Sequence, residues 1–242
     1  MTDAPKVTRL PPPVLDWREG VPVSHDFDDV YYSTAGGRAE TGHVFLAGNG
    51  LPDRWVPGQP FFIAELGLGT GLNVLETWDL WEEFGRPGSI TLTSFEQWPM
   101  EKSDLARAPA AWPDLAARSA RLVAVWDQLL RGEPVALAPG FTVSVVWGDA
   151  NVTLPLWSGR ADAWFLDGFS PARNPQLWNP DLMSDVFRCT RPQGTFATYT
   201  AAGWVRRALA EAGFEVERKP GYGTKRDMTV GRRGLTPGAP TV

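Results

Sequence analysis

The stretch Phe-Phe-Ile-Ala-Glu-Leu-Gly-Leu-Gly-Thr-Gly at residues 61–71 decides the fold that we expect. Its first six residues form a short, almost wholly apolar run between a proline and a glycine, which is typical of a buried parallel strand. Large apolar side chains then recur every few residues from Leu72 to Trp81, and the pattern ends at Gly85, which predicts a helix. The sequence therefore predicts a strand, a glycine loop and a helix in succession.

The same alternation continues along the rest of the chain. Further strands are predicted at 90–95, 141–147, 161–166, 194–199, 214–218 and 227–231, and helices at 101–109, 114–131, 176–190 and 203–212. Strands that alternate with helices indicate a doubly wound α/β sheet with helices on both faces. We therefore predict a Rossmann-like α/β fold with a seven-stranded, mostly parallel sheet.

The residues before this domain differ from it in composition and in hydrophobic patterning. Residues 1–20 are rich in proline and predict an irregular arm, while the alternation from residue 28 to residue 48 predicts a β-hairpin closed around Gly36 and Gly37. The predicted domains are an N-terminal arm with a β-hairpin extension at 1–58, one α/β domain at 59–233 and a flexible tail at 234–242.

Composition excludes several classes of protein. The 242 residues are 43% apolar and 21% charged, which is enough to bury one substantial core. The single cysteine, Cys189, and the only histidines, His25 and His43, have no spacing of a zinc site, so we expect no metal. The start of the chain lacks the apolar segment of a signal peptide, and no apolar run approaches the length of a membrane span. We therefore expect a cytoplasmic protein without a membrane partner.

Charge is unevenly distributed. The net charge of -5 argues against binding nucleic acid by bulk electrostatics. Residues 206–233 nevertheless carry eight lysines and arginines against four acidic residues. This local patch is either a solvated surface or a contact for phosphates, and charge alone does not separate the two interpretations.

Four successive strands of the predicted sheet each end in a carboxylate: Glu65, Glu96, Asp149 and Asp167. Because ligands of open α/β sheets bind beyond the carboxyl ends of the strands, these four side chains mark the expected site. Each of them, taken singly, could instead cap a helix or lie on the surface. Their recurrence at four strand ends favours a ligand site.

The glycine loop at 67–71 has two main interpretations, a dinucleotide site or an S-adenosylmethionine site. No Lys-Ser or Lys-Thr follows it, as a phosphate-binding loop requires, and the third glycine comes one residue too early for a dinucleotide fingerprint. Glu65, two residues before the loop, suits the cationic groups of S-adenosylmethionine. Glu96 can bind a ribose diol in either case, whereas Asp149 after a glycine can accept a hydrogen bond from an adenine amine.

The stretch Phe-Leu-Asp-Gly-Phe-Ser-Pro-Ala-Arg-Asn-Pro at 165–175 resembles a motif of the methyltransferase half of the MnmC family of bifunctional tRNA-modifying enzymes. Similar stretches lie at 29–33, 44–52, 64–73, 94–96, 191–195 and 223–228, so the resemblance extends from residue 28 to residue 231. It implies the fold of a class I methyltransferase with S-adenosylmethionine as cofactor. It also implies methylation of the aminomethyl nitrogen on a wobble uridine of tRNA, which gives 5-methylaminomethyl(-2-thio)uridine.

The family's bifunctional members add an FAD-dependent oxidase domain, and this sequence resembles the stand-alone methyltransferase without it. We therefore expect no oxidase activity. The expected partners are the tRNA anticodon stem-loop and either a separate FAD-dependent oxidase or the enzymes that install the aminomethyl group. Two alternatives stay open at this stage: an S-adenosylmethionine-dependent N-methyltransferase for a small-molecule or protein amine, and a non-catalytic tRNA-binding subunit.

The resemblance also supports a set of candidate site residues. An alkylamine with a pKa near 10 must lose a proton before it accepts a methyl group, and we expect Asp167 and Phe169 to act in catalysis. The expected cofactor-binding residues are Glu65, Gly67, Gly69, Gly71, Asn73, Glu96, Asp149 and Asp167. The expected substrate or RNA contacts are Tyr32, Phe169, Arg173, Trp178, Arg206, Arg207, Lys225 and Arg226, with the aromatic rings stacking on an extruded base and the cations meeting phosphates.

Overall fold

A central sheet dominates the computed structural model, which describes residues 10–34 and 36–235. Within these residues the strands are β1 (Leu15–Arg18), β2 (Val21–Ser24), β3 (Asp29–Val30), β4 (Pro60–Leu66), β5 (Ser89–Glu96), β6 (Val135–Ala138), β7 (Phe141–Trp147), β8 (Ala161–Leu166), β9 (Thr190–Thr198), β10 (Glu215–Pro220) and β11 (Asp227–Arg232). The first three form a small antiparallel sheet, and the other eight form the central sheet in the order β10-β11-β9-β8-β4-β5-β7-β6.

The helices lie mainly between the strands of the central sheet. They are α1 (Gly37–Thr41), α2 (Leu72–Glu83), α3 (Lys102–Arg107), α4 (Ala116–Ala124), α5 (Trp126–Leu130), α6 (Ala150–Leu156), α7 (Pro180–Arg188) and α8 (Gly203–Ala212). A π-helical turn (Gly42–Leu46) and a 3-10 turn (Ala47–Asn49) continue α1. None of the helices in the described part of the chain has the length and apolar character needed to cross a membrane.

The predicted fold class is confirmed. Strands β7, β5, β4, β8 and β9 are parallel neighbours, and antiparallel strands flank them on both sides, which is a Rossmann-like α/β arrangement. The sheet has one strand more than predicted, because the four residues of β6 pair with β7 at the edge. A strand that short gives little periodicity for a sequence-based prediction.

Local sequence sets the helix ends. Asn179 caps α7 by accepting a hydrogen bond from the Leu182 backbone N–H, and Pro180 occupies the first helical position, where a missing N–H costs nothing. Helix α8 ends at Gly213 in a left-handed conformation with φ 115°, which glycine adopts without strain. Residues of both helices pack with residues of β8 and β9 in one buried cluster.

The core has two layers, one on each face of the sheet. On one face, Trp81 and Phe141 belong to a cluster built around α2 and α5. On the other face, Trp164 and Phe196 pack with residues of α7 and α8. Four of the twelve tryptophans are among the largest fully buried side chains, so much of the tryptophan content serves packing.

The predicted hairpin over residues 28–48 is wrong. The antiparallel strands lie earlier, at residues 15–30, and residues 37–49 are helical. Val44, Phe45 and Leu46 are consecutive and all buried, whereas a strand of a two-stranded hairpin exposes every second side chain. The helical turn lies directly on the central sheet, because a Cβ atom on Gly48 would come within 2.8 Å of the Ala197 side chain. The boundaries at 58 and 233 stay predictions, and residues 236–242 of the predicted tail, like residues 1–9 of the arm, fall outside the described part of the chain.

Candidate functional site

A cavity of about 320 Å³ opens at the carboxyl ends of β4, β5, β7 and β8. This volume falls in the range of small-molecule sites. Residues from both the central sheet and the N-terminal region line it, among them Tyr31, Tyr32, Glu40, Gly67, Gly69, Asn73, Glu96, Asp149, Asp167, Phe169, Tyr199 and Lys225. The structure therefore places the site at the edge of the sheet that the four carboxylates predicted.

The glycine loop after β4 forms one wall of the cavity. Gly69 has a positive φ of 52°, and a Cβ atom there would lie 3.2 Å from the Tyr31 ring. Gly67 and Gly69 both line the cavity. Gly71 does not line it: it precedes α2 with φ 74°, and a Cβ atom on it would lie 2.8 Å from the Leu122 side chain. The predicted cofactor contact of Gly71 is therefore not supported, because this glycine serves helix packing.

Glu96 holds the glycine loop in place. Its Oε2 accepts a hydrogen bond from the Gly69 N–H over 3.0 Å, and its Oε1 accepts from the N–H groups of Gln97 and Trp98. Burial raises the pKa of Glu96, although these backbone donors act in the opposite direction. A carboxylate fixed in this way at the cavity wall can accept a hydrogen bond from a ligand hydroxyl.

Asn73 links two carboxyl groups. Its Nδ2 donates to Glu65 Oε1 over 2.7 Å and to Asp167 Oδ2 over 2.8 Å, and the Ser94 hydroxyl donates to Glu65 Oε2 over 2.7 Å. Glu65 has no exposed surface, and this burial raises its pKa to about 8. Glu65 is absent from the cavity wall, so the predicted direct contact with a cofactor is not supported. It lies behind Asn73 because the β4 strand points its side chain into the helix layer.

Asp167 reaches the cavity from the end of β8. Its Oδ1 accepts a hydrogen bond from the Gly168 N–H over 2.8 Å, and burial raises its pKa to about 6. The donors Gly168 and Asn73 and the charge of Lys225 oppose this increase. A carboxylate with a pKa near 6 accepts protons more readily than an ordinary aspartate, which suits a general base near neutral pH.

Asp149 joins the same wall from the end of β7. Its Oδ1 accepts hydrogen bonds from the backbone N–H and the Nδ2 of Asn151, so the side chain caps α6. Asp149 also lines the cavity. Both interpretations that the sequence left open are therefore compatible with its position: it caps a helix and faces the cavity at once.

Aromatic side chains form the opposite part of the site. Phe169 stacks on Phe27 and meets the edge of Tyr31, with ring centroids 5.0 Å apart in the second pair. Tyr32 also lines the cavity; its hydroxyl donates to the Ala108 carbonyl over 2.8 Å, and burial raises its pKa to about 12. Trp178 is wrongly predicted as a stacking surface, because it is fully buried and its Nε1 donates to the Phe169 carbonyl from behind the turn.

The predicted RNA-binding cations divide into two groups. Lys225 lines the cavity, where its Nζ lies 2.7 Å from Glu40 Oε1 and 3.9 Å from the centroid of the Tyr199 ring. The other four cations do not line the cavity: Arg206 and Arg207 on α8, Arg226 beside Lys225, and Arg173, which pairs with Asp28 over 3.0 Å. The sequence predicted that all five cations contact phosphates. Lys225 differs from the other four because it lies inside the cavity.

The sequence analysis missed Glu40, Tyr199 and Asp29 at the cavity wall. Tyr199 directly follows β9, so the strand-end rule that found Asp167 could also have found Tyr199. Asp29 Oδ2 accepts a hydrogen bond from the Ser170 N–H over 2.8 Å and ties the N-terminal strands to the turn after β8. The strand-end rule could not predict that Asp29 and Glu40 line the cavity, because their positions depend on how the N-terminal region docks on the sheet.

The fold and the site together define the class of protein. A Rossmann-like sheet presents a glycine loop without a phosphate-binding pattern, and several carboxylates surround the adjoining cavity, as expected for an enzyme that binds a cationic nucleoside cofactor. A family model described as S-adenosyl-L-methionine-dependent methyltransferase matches residues 113–234, which is half of the chain. The chain belongs to this family, and its cofactor is S-adenosylmethionine.

Two curated relatives and one solved structure extend the comparison. The chain is 43% identical over 242 residues to the tRNA 5-methylaminomethyl-2-thiouridine biosynthesis bifunctional protein MnmC of Chromohalobacter salexigens, covering 96% of this chain and 35% of the relative. It is 45% identical over 232 residues to the protein of the same name from Pseudomonas paraeruginosa, covering 90% of this chain and 34% of the relative. The chain thus spans about a third of the length of these relatives.

The solved structure is that of MNMC2 from Aquifex aeolicus. It superposes with a TM-score of 0.70 at 23% identity, covering 96% of this chain and 73% of that chain. At this level of identity the likeness supports the fold. The extent of the match indicates that the N-terminal region, as well as the central sheet, belongs to the shared architecture.

The cavity wall fits the charges of S-adenosylmethionine. Glu96, Asp149 and Asp167 supply carboxylates near the glycine loop, and the cofactor carries a sulfonium and an ammonium in addition to its carboxylate. The residues suited to hold it are Gly67, Gly69, Glu96 and Asp149, with Asn73 beside them. Opposite charges within a partly desolvated cavity attract more strongly than they do in bulk water.

Proposed function

We propose that this chain transfers the methyl group of S-adenosylmethionine to the nitrogen of a 5-aminomethyl(-2-thio)uridine at the wobble position of tRNA, giving 5-methylaminomethyl(-2-thio)uridine. One observation carries the proposal: the Asp167 carboxylate and the Phe169 ring, one residue apart in the same turn, line the same cavity as the glycine loop. The names of the relatives, at 43% and 45% identity over most of this chain, support the same product.

The reaction requires a neutral amine. A free alkylamine resembles lysine, with a pKa of roughly 10, and therefore arrives protonated at neutral pH. Asp167, whose pKa is raised to about 6, can attract the ammonium and accept its proton. The amine and the carboxyl group are then both neutral, and the nitrogen lone pair is available for attack.

The positioning of the reacting groups contributes the larger part of the rate enhancement. Asn73 and the Gly168 N–H hold the two oxygens of Asp167 over 2.8 Å each, so the carboxylate has a fixed orientation before the substrate arrives. Preorganised reactants can gain about 7–11 kcal/mol relative to free collision. When bound, S-adenosylmethionine supplies an electrophilic methyl group on sulfur, whose transfer yields a secondary ammonium and a neutral thioether.

The proposed RNA contacts are aromatic rings in the cavity wall and cations outside it. A base that leaves its stack regains about 1–3 kcal/mol when it stacks on an aromatic ring, and Phe169 with Tyr32 offers such surfaces. The exposed cations Arg173, Arg207 and Arg226 are suited to meet phosphates of the anticodon stem-loop, with Arg206 partly exposed next to them. Phosphate contacts of this kind orient the RNA without reading its sequence.

The proposal assigns only methyl transfer to these 242 residues. Two sources of the aminomethyl precursor fit the proposal: an FAD-dependent oxidase, or the enzymes that install the aminomethyl group directly. A tRNA substrate supports the expected location in the cytoplasm.

The test uses purified protein, isotopically labelled S-adenosylmethionine and two tRNA preparations that differ only in the aminomethyl group on the wobble uridine. We expect label in the wobble nucleoside of the aminomethyl tRNA and none in the other preparation, measured by mass spectrometry of nucleosides. Label in bulk tRNA without the aminomethyl group, or label only in a small-molecule or protein amine, contradicts the proposal.

A further inference from the structure

One ammonium group already lies inside the cavity. Lys225 is the only lysine or arginine among the described residues that line it, whereas the acidic residues of the wall are Asp29, Glu40, Glu96, Asp149 and Asp167. Its Nζ lies 2.7 Å from Glu40 Oε1 and 3.9 Å above the Tyr199 ring. A lysine held between a carboxylate and an aromatic face has a defined position rather than a solvated one.

The pair is close to the turn that carries Asp167. Glu40 belongs to α1 and is 8% exposed, and Lys225 comes from the segment between β10 and β11. The Tyr199 hydroxyl beneath Lys225 donates to the Gly168 carbonyl over 2.8 Å. Burial raises the pKa of Tyr199, so this hydroxyl stays protonated and serves as a donor. One tyrosine thus links the ion pair to the residue that directly follows Asp167.

Charges from several elements act on Asp167. Lys225 lowers its pKa and Glu40 raises it, while the Asn73 donor on α2 lowers it. Glu65 at the end of β4 lies behind Asn73, Glu96 lies at the end of β5, and Asp29 and Tyr199 complete the surroundings. The two charges of the ion pair therefore act in opposite directions on the protonation of the group beside the substrate nitrogen.

An acidic wall creates a difficulty for the proposed reaction. Carboxylates recruit the substrate ammonium, but they also stabilise its charged form and so raise the pKa of the amine. Methyl transfer needs the neutral form. A cation near the amine counters this effect, since it favours loss of the proton from a neighbouring ammonium.

We propose that Lys225, held by Glu40, is the positioning residue that promotes deprotonation of the substrate amine. The inference rests on the proposed function. The substrate ammonium gives one proton to the Asp167 carboxylate, which leaves a neutral amine and a neutral carboxylic acid. The positive charge of Lys225 repels the ammonium and so lowers the pKa of the amine. It also lowers the pKa of Asp167, so that the carboxyl group keeps the ionised form that accepts the proton at lower pH, and Glu40 limits the repulsion so that the ammonium can still enter.

The first test measures single-turnover methyl transfer as a function of pH with saturating enzyme. Lys225→Met should shift the acid limb of the profile to higher pH, by about tenfold in rate at a given pH for each pKa unit. Glu40→Gln should shift the acid limb to lower pH, because the carboxylate no longer offsets the positive charge of Lys225. The double variant Lys225→Met, Glu40→Gln should return close to the wild-type limb.

A matched control uses the neighbouring residue. Arg226 is exposed and outside the cavity, so Arg226→Met should weaken tRNA binding without moving the acid limb. Lys225→Arg keeps the charge and should keep the limb near its wild-type position. If Lys225→Met behaves like Arg226→Met, Lys225 is a phosphate contact and the inference is overturned. If Glu40→Gln does not fold, the comparison of Lys225→Met with Lys225→Arg still tests the inference, because only the first variant removes the charge.

A second readout needs neither tRNA nor turnover. A carbon-13 NMR titration of the Asp167 carboxyl group in the free protein, assigned with Asp167→Asn, should give a higher pKa in Lys225→Met and a lower one in Glu40→Gln. Unchanged values in both variants overturn the inference even if the enzyme methylates tRNA. Conversely, if the two variants show these shifts but the wild-type protein leaves aminomethyl tRNA unmodified, the result contradicts the proposed function alone.

Discussion

Phe27 stacks on Phe169 with ring centroids 4.7 Å apart and an interplanar angle of 24°. Phe27 lies in the turn between β2 and β3, and Phe169 in the turn after β8, so the contact joins the N-terminal strands to the turn that carries Asp167. Phe169 lines the cavity, whereas Phe27 does not. One face of Phe169 is thus supported by protein, and the ring can present its remaining surface to a base.

Phe169→Ala should weaken tRNA binding, because the base loses a stacking surface worth about 1–3 kcal/mol. The dissociation constant of S-adenosylmethionine, measured by calorimetry, should change little. Phe27→Ala is the matched control, since it removes a ring of the same cluster from outside the cavity and should affect tRNA binding less. Equal losses in the two variants would indicate that the cluster only stabilises the turn.

Asp167→Asn should keep cofactor binding and reduce single-turnover methyl transfer by roughly 10²- to 10⁴-fold, the usual contribution of a general base. The substitution keeps the size of the side chain but removes the proton acceptor. Asp29→Asn is the control, because Asp29 orders the same turn through the Ser170 N–H without a place in the proton transfer. Similar rates for the two variants would assign Asp167 a purely structural role.

Asp149 allows its two roles to be separated. Asp149→Asn preserves an oxygen that can cap α6, but it puts an amide where the carboxylate faces the cavity, so S-adenosylmethionine should bind roughly tenfold more weakly or worse. Thermal stability should be nearly unchanged. Asp149→Ala should lose the cofactor affinity and, in addition, about 1 kcal/mol of stability from the missing cap. Unimpaired cofactor binding in both variants would leave Asp149 as a cap only.

Much of the fold was predictable because the central strands are long and apolar. The predicted bounds 141–147 and 161–166 coincide with β7 and β8, and the glycine loop lies where the sequence placed it. Strand ends of a parallel sheet share one edge, so a positional rule found Glu96, Asp149 and Asp167 without knowledge of any contact. The same rule placed Glu65 at this edge but could not reveal that Asn73, and not Glu65, lines the cavity.

The N-terminal half of the site could not be predicted in this way. Helix α1 has five residues, which is too short to be stable without tertiary contacts, and the alternation that predicted a strand lies in the residues on either side of it. Glu40 reaches the cavity only because α1 docks on α2, with Thr41 Oγ1 donating to Asn73 Oδ1 over 3.0 Å. Long-range contacts of this kind leave no periodic trace in the sequence. For the same reason the place of Lys225 inside the cavity was not apparent.

Glu65→Gln tests the unusual pKa of the buried carboxyl group. The folded-state pKa of about 8 lies above that of an exposed glutamate, so the protonated form stabilises the fold at acidic pH. This contribution is complete below about pH 4 and is lost as the pH rises towards 8. The free energy of unfolding of the wild type, measured with urea, should therefore fall between pH 5 and 8. Glu65→Gln should fall less over this window; an identical slope would contradict the raised pKa.

Arg38 lies in α1, the helix that carries Glu40, and its ion pairs allow a test of how this helix is stabilised. Its guanidinium forms ion pairs with Glu76 and Asp79 of α2 and with Asp114. Glu76 is 7% exposed, and removal of the partner of a buried charge costs roughly 3–5 kcal/mol, so Arg38→Met should lose about that much stability at pH 8. Lys102→Met, which breaks the exposed pair with Asp127, should cost less than about 1 kcal/mol.

The pH dependence of Arg38→Met carries further information. Burial already raises the pKa of Glu76 to about 7 while Arg38 opposes the increase, so loss of Arg38 should raise it further. A raised folded-state pKa gives stability that is present at low pH and lost as the pH rises. Part of the lost stability should therefore return when urea unfolding is measured at pH 6 instead of pH 8. If the deficit is the same at both values, Glu76 is not the stranded charge, and Arg38 stabilises the fold through Asp79 and Asp114 instead.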